Sequence, residues 1–304
     1  MAGADRWMVS EATATPVGTV AARTLRKRLD AVWRELRNAC RDEADPENVH
    51  QLRVATRRTL AAFDAFADVI PARRRQWFEK RLARLRRAAG EARDLDVLSH
   101  RLALGGTGAA RARSRLVAML SKQRVQSRAP IREQYEKLLD AEWPARVDRL
   151  MEGIRGRRRQ PAFAAFARRR FKPMIEAFFA KADRKLRSAE EIHDLRIAGK
   201  KLRYALEIFS PVFPPDVRAR CQDALERLQE TLGSFTDHAA AADRFARWAR
   251  SADAGANREL LAALERDEEA RADTARKIFS KWWNNSRRKS LRRRFARTLR
   301  RHSA

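Results

Sequence analysis

Val49-His50-Gln51-Leu52-Arg53-Val54-Ala55-Thr56-Arg57-Arg58 and Ile192-His193-Asp194-Leu195-Arg196-Ile197-Ala198-Gly199-Lys200-Lys201 carry one pattern twice, 143 residues apart. At that offset the following sequence stays in register without a gap. Phe66 falls on Phe209, Ile70-Pro71 on Phe213-Pro214, Leu82 and Leu85 on Leu225 and Leu228, Gly90 on Gly233, and Asp94 on Asp237. One inserted residue later, Leu120 matches Leu264 and Tyr135 matches Phe279. A register held across glycine, proline, histidine and aspartate together marks a tandem duplication. The repeats are expected at 18–145 and 160–285, with a basic tail at 286–304.

The fold class reads as all-α. Ala, Leu, Arg and Glu dominate, strand signals are nearly absent, and apolar residues recur three and four apart. Breakers at Asp45-Pro46, Pro71, Gly105 to Gly108, Gly153 to Pro161, Pro214-Pro215 and Ala252 to Ala256 punctuate the pattern. They predict helices over 18–41, 46–69, 72–89, 94–104 and 109–140, then 163–184, 189–210, 215–232, 237–250 and 257–285. Pro130 should kink or split the long helix in which it falls. A duplicated helical unit of this size folds most simply as two tandem four-helix bundles related by a pseudo-two-fold axis.

Each repeat has one helix of unusual construction. Asp45 is a good N-cap before Pro46 and Glu47, and Ser188 with Glu191 spells a capping box. With His50 as the zero of the helical wheel, Arg57, Arg53 and Arg58 lie about 20°, 60° and 80° away. Leu52, Ala55, Phe63 and Phe66 cluster opposite. The second copy sets His193, Arg196, Lys200 and Lys201 against Leu195, Ala198, Leu206 and Phe209, with Arg203 and Tyr204 extending its polar side. Ordinary solvated faces mix both signs to make i,i+4 pairs. Here acids are missing from the middle of the stripe in both copies, which suits a linear anion with closely spaced oxygens.

Composition points the same way. The chain of 304 residues has 68 Lys+Arg against 39 Asp+Glu, a formal net charge of +29, and 44% hydrophobic residues, enough for a buried core. Charge on that scale repels itself, so a neutralising partner is expected: nucleic acid, anionic lipid or polyphosphate. Much of the excess is arginine, whose planar fork grips phosphate oxygens two at a time. No apolar stretch approaches the ~20 residues needed to cross a bilayer, and Met1 to Pro16 lacks the apolar core of a secretory signal. The expected location is the cytoplasm. Cys40 and Cys221 then read as small core residues in a reducing compartment rather than a disulfide.

The two signature segments resemble the paired helices of CHAD domains, a family of histidine-containing α-helical domains. Gly90-Glu91-Ala92-Arg93-Asp94-Leu95-Asp96 and Leu232-Gly233-Ser234-Phe235-Thr236-Asp237 resemble that family's helix junctions, and the likeness covers roughly 18–285. Asp237-His238 departs from the pattern, which expects a second acid two residues after the first. The resemblance implies two bundles around a basic cleft, polyphosphate binding, and location on polyphosphate granules. It also implies a stand-alone member, since no Glu-x-Glu-x-Lys opening of a triphosphate-processing tunnel domain is present. Carried over residue by residue, the polyphosphate-binding set is His50, Arg53, Arg57 and Arg58 with His193, Arg196, Lys200 and Lys201. Arg26, Arg28, Arg169 and Arg170 from the preceding helices, and Arg203, either widen that groove or are plain solvated surface.

The remaining residues suggest binding without catalysis. There is no Gly-rich phosphate loop, no Gly-x-Ser-x-Gly and no carboxylate-rich metal cluster. Asp94, Asp96 and Asp237 sit just past the glycines, where helix N-caps paired with an arginine belong. His50 and His193 lie among cations and lack further ligands, so neither a metal nor any other cofactor is expected; His100, His238 and His302 read as ordinary surface. The other functions to be weighed are nucleic-acid binding and a phosphohydrolase or polyphosphate-modifying activity. From Lys281 onward the chain has ten Lys or Arg and no acid, with Leu291, Phe295 and Leu299 at helical spacing. That tail reads as an amphipathic basic end open to nucleic acid, membrane or polyphosphate, or as a disordered charged tail.

Overall fold

In the computed structural model the described residues are 12–299, apart from 43–44, 105–109, 157–158, 185, 187, 252–254 and 256. Among them the regular elements are all helical, and only an isolated bridge joins Pro16 to Ala162. In chain order they are α1 (Val17–Arg41), α2 (Pro46–Ala65), α3 (Ala72–Leu104), α4 (Ala110–Gln126), α5 (Ala129–Asp140), α6 (Trp143–Arg155), α7 (Phe163–Ala182), α8 (Ala189–Ile208), α9 (Pro215–Arg250), α10 (Arg258–Trp282) and α11 (Asn285–Leu299). One-turn 3-10 helices at Ala67–Val69 and Ser210–Val212 follow α2 and α8. The bounds of α2 and α8 differ by the same 143 residues as the sequence repeat.

The signature helices begin as their caps dictate. Asp45 accepts from the Glu47 N–H at 2.8 Å, with Pro46 at the first helical position. Ser188 and Glu191 close the capping box, at 3.1 Å from Glu191 N–H to the Ser188 hydroxyl and 3.0 Å from Ser188 N–H to the Glu191 carboxylate. Each satisfies donors that an uncapped first turn would leave without partners. Phe66 and Phe209 end the two helices.

The chain divides into two compact units. The first holds α1–α3, most of α4, α5 and α6; the second holds most of α7 and α8–α11. In the first, α1 packs against α2, α5 and α6, and α2 against α3. Leu25, Leu29 and Leu36 of α1 and Leu52, Ala55 and Phe63 of α2 are all fully buried in the unit's core. Trp143 opens α6 and stacks on Trp33 at 6.3 Å and edge-on to Phe78 at 5.1 Å. In the second unit α9 packs against α8, α10 and α11, and Leu195, Leu206 and Phe209 are buried as the wheel predicts. Cys40 and Cys221 are free, and burial pushes the Cys221 thiol up to about 12.

Two expectations are corrected. Gly90 and Gly233 do not break their helices: α3 and α9 run straight through them. A helix-interior glycine costs only about 1 kcal/mol against alanine, and Leu82, Leu85, Ala89, Leu95 and Leu98 give α3 a continuous buried side that outweighs it. Consequently Asp94, Asp96 and Asp237 are mid-helix residues and not N-caps. The second correction is α6, which lies where Gly153, Gly156 and Pro161 suggested only a connection. Pro144 sits in its first turn, where the missing N–H costs nothing, and left-handed Glu142 (φ 53°) precedes it. The tail, read as an amphipathic basic end or a disordered segment, is the helix α11 over its described residues. The long helix expected at 109–140 is split as anticipated, into α4 and α5, with Pro130 in the first turn of α5.

Asp96 is the polar keystone of the first unit. Its side chain is 1% exposed and accepts from Arg124 Nε at 2.8 Å and from Arg128 Nη2 at 3.1 and 3.2 Å. Arg128 is itself buried, so deleting the acid strands a cation in the interior. Asp96→Ala is expected to lower the unfolding free energy by about 3–5 kcal/mol, measured by urea denaturation against wild type. A loss below about 1 kcal/mol would contradict this account.

Candidate functional site

In the first unit, α2 presents His50, Arg53 and Arg57 on the side away from Leu52 and Phe63, each half-buried. The Arg53 guanidinium lies against α3 and donates to the Ala89 carbonyl at 3.4 Å. A Cβ on Gly90 would stand 3.3 Å from Arg53 Nη1, so the glycine leaves room for that approach. Burial holds the Arg53 pKa below its usual value; Asp94 opposes the shift, and Arg57, Arg93 and Arg86 add to it. Burial also pushes the His50 pKa below 6.5, seconded by Arg93, opposed by Glu47, and deepened by Arg57 and Arg53. His50 and Arg53 therefore sit on a partly desolvated face where Arg57 and Arg93, and for Arg53 also Arg86, disfavour their charge.

Arg86 was not among the residues the sequence singled out, and Arg93 stood only in the junction motif, outside the expected binding set. Seven apart, they lie on one face of α3 together with Gly90. That spacing is legible in the sequence once the helix is read through the glycine.

The second unit repeats the frame with weaker charge. Arg196 Nη2 lies 3.3 Å from the Asp237 carboxylate, over Gly233, where a Cβ would make only ordinary contact with the guanidinium at 3.6 Å. Its backbone carbonyl accepts from Gln229 at 3.2 Å. A Cβ on Gly199 would meet Gln229 Nε2 at 2.5 Å, so a larger residue there would displace the glutamine amide. His193 and Lys201 are exposed and Lys200 is half-buried. Arg203 reaches Glu226 at 3.7 Å and lies over the ring of Tyr204 at 4.9 Å. Where the first unit has Arg86 and Arg93, the same register here gives Gln229 and Thr236.

Two predicted groove residues are interior instead. Arg28 is 0% exposed and donates from Nη1 to the Arg58 carbonyl at 2.6 Å. Arg58, at the edge of the stripe, is 7% exposed, and its backbone carbonyl is the one that receives Arg28 of α1. The flanking Arg26 pairs with Asp148 on α6, Arg169 is exposed and Arg170 half-buried. His100 is exposed as expected, and His302 lies outside the described residues. His238 is not ordinary surface: its Nδ1 is 2.5 Å from the buried carboxylate of Glu268, joining α9 to α10. Among the described residues no helix is long and apolar enough to cross a membrane.

A family model described as "CHAD domain" matches residues 23–246. The crystal structure of the CHAD domain from the plant Ricinus communis is similar at a TM-score of 0.73 and 22% identity, with 90% of this chain and 95% of that chain covered. PptA from Streptomyces chartreusis is similar at a TM-score of 0.54 and 21% identity, covering 88% and 99% respectively. At such identities the likeness bears on the fold. No curated protein matches the sequence.

The lowered His50 pKa fixes a sign. As pH falls below 6.5 the unfolded chain takes up a proton at this position before the folded chain does. Folding stability should therefore drop between 6.5 and the lower folded-state value. In urea denaturation from pH 7 to pH 5, wild type should lose more stability than His50→Gln. Parallel pH profiles would contradict the assigned environment.

Proposed function

The chain belongs to the CHAD domain family, and from that premise we propose that it binds inorganic polyphosphate on the basic faces of α2 and α8 without turning it over. The observation that carries the reading is the crowding of His50, Arg53, Arg57, Arg86 and Arg93. A face that depresses the charge of its own members is relieved by a polyanion, so binding and relief of repulsion become one event. His50, Arg53 and Arg57 span about 10 Å along the helix, a length over which a linear phosphate chain offers several oxygens. The arginines would grip these oxygens by charge-assisted hydrogen bonds.

Binding rather than turnover is supported by the surroundings of the acids. Asp237 is engaged with Arg196, and Asp94 acts on Arg53. Nucleic acid at these same faces is disfavoured, because base recognition on single strands uses exposed aromatic platforms. Tyr204, the aromatic residue beside the second stripe, is 5% exposed. Association with polyphosphate granules in the cytoplasm follows as the cellular expression of the same affinity. Phosphate release from polyphosphate with Mg or Mn present tests the enzymatic alternative, and the proposal expects none above buffer.

Because Arg86 and Arg93 of the first unit have only Gln229 and Thr236 as counterparts in the second, the first unit should contribute more. In isothermal titration with long-chain polyphosphate, Arg53→Gln is expected to weaken binding at least about tenfold, from the loss of one charge-assisted contact. Arg196→Gln should cost less, and the double variant more than either. Equal affinities for the double variant and wild type would overturn the site. Affinity should also rise as pH falls through the His50 titration, since the bound polyanion favours the imidazolium. His50→Gln should flatten that trend, and a trend surviving in the variant would remove His50 from the mechanism.

A further inference from the structure

The C-terminal helix carries cations that the α2 and α8 faces do not use. Its inner side is fastened along its length to the second unit. Leu291 and Phe295 are buried, and the Phe295 ring lies 6.0 Å from Phe171 and 6.2 Å from Phe179. Arg288 donates to the Trp283 carbonyl at 3.0 Å and Arg294 to the Arg220 carbonyl at 3.4 Å. Arg292 pairs with Asp183 and lies over the Phe179 ring at 4.6 Å. These contacts fix the rotation of the helix about its own axis.

The side turned outward is therefore defined. Lys289, Arg293 and Arg297 are exposed and form an i,i+4 row about 6 Å apart. No carboxylate among the described residues pairs with any of the three. Lys289, Arg292 and Arg293 surround a shallow depression floored by Ala296.

We propose that this outer face of α11 is a second anion-binding surface, which takes the phosphate backbone of duplex nucleic acid. Three features favour that occupant. An interfacial membrane helix needs an apolar face free to enter the lipid, and the apolar side of α11 is committed to Phe171 and Phe179. A thin linear anion is best held by cations converging from two helices, as Arg53 and Arg57 of α2 do with Arg86 and Arg93 of α3, whereas the row on α11 is carried by one convex helix. Duplex DNA offers such a row a wide surface with one charge per about 1.7 Å of axis. Contacts of this kind go to the backbone and read no sequence. The chain would then hold nucleic acid on α11 independently of the anion bound at α2 and α8.

The test is the full-length chain against a fluorescent mixed-sequence 30-base-pair duplex, read by anisotropy across a salt series. Lys289→Gln/Arg293→Gln/Arg297→Gln should weaken duplex binding at least about tenfold at 0.1 M salt. It should also reduce the slope of log K against log salt by about 2.7, at about 0.9 per lost phosphate contact. Polyphosphate affinity should stay within about twofold of wild type. Arg53→Gln/Arg196→Gln should leave duplex binding unchanged, so failure here is distinguishable from failure of the polyphosphate site. An unchanged duplex affinity and slope in the triple variant overturns the proposal. So does a triple variant that loses polyphosphate but keeps the duplex, or wild-type binding to phosphatidylglycerol vesicles but not to the duplex.

Discussion

Like charges held close together in partial shelter from water are the constraint from which the site follows. Arg53 lies over Gly90 against the carbonyl of Ala89, with Arg57, Arg86 and Arg93 acting on it and only Asp94 opposing among the groups that shift it. An isolated surface charge would relax into solvent. Here the buried side of α2, built on Leu52 and Phe63, holds the backbone in place, while the gap at Gly90 holds the guanidinium. The folding energy of an apolar core thus maintains a cationic arrangement that has no reason to assemble by itself. On the proposed reading, an anion with several oxygens in a row is the ligand that finds this arrangement ready.

Duplication supplied the frame, and divergence has made its two copies unequal. Both units keep a capped helix, a histidine near its start, an arginine one turn on, and a glycine and aspartate on the next helix to receive it. Inside, the copies differ. Arg28 and Glu35 are buried in the first unit where the same register places Phe171 and Phe178 in the second. Outside, Arg86 and Arg93 give way to Gln229 and Thr236. The first unit has therefore accumulated charge both beneath and around its stripe. The second holds its arginine with a carboxylate and a neutral amide, and its His193 stands in the open.

The sequence made the repeat, the all-helical class and the α2 and α8 stripes legible because they rest on short-range rules: capping chemistry, period 3.6, and a register that glycine and proline anchor. What it hid has physical causes. Glycine reads as a break, yet Gly90 and Gly233 lie inside continuous helices, and at Gly90 it marks close approach of a guanidinium. That misreading also concealed the pairing of Arg86 with Arg93, which share a face only if α3 is unbroken. Arg28 and Arg58 read as ligand surface because arginine is seldom buried; the hydrogen bond from Arg28 to the Arg58 carbonyl makes the exception. α6 was masked by prolines and glycines at its two ends, where they do a helix no harm. His238 gained a role only from Glu268, thirty residues on and one helix away.

The most direct test of the account is the imidazole of His50 itself, followed by NMR across a pH titration with and without saturating polyphosphate. The account predicts a midpoint below 6.5 in the free protein, moving upward when the anion is bound and the neighbouring guanidinium charges are neutralised. A midpoint that stays in place at saturation, while signals elsewhere respond, would mean that the anion sits somewhere other than on this face.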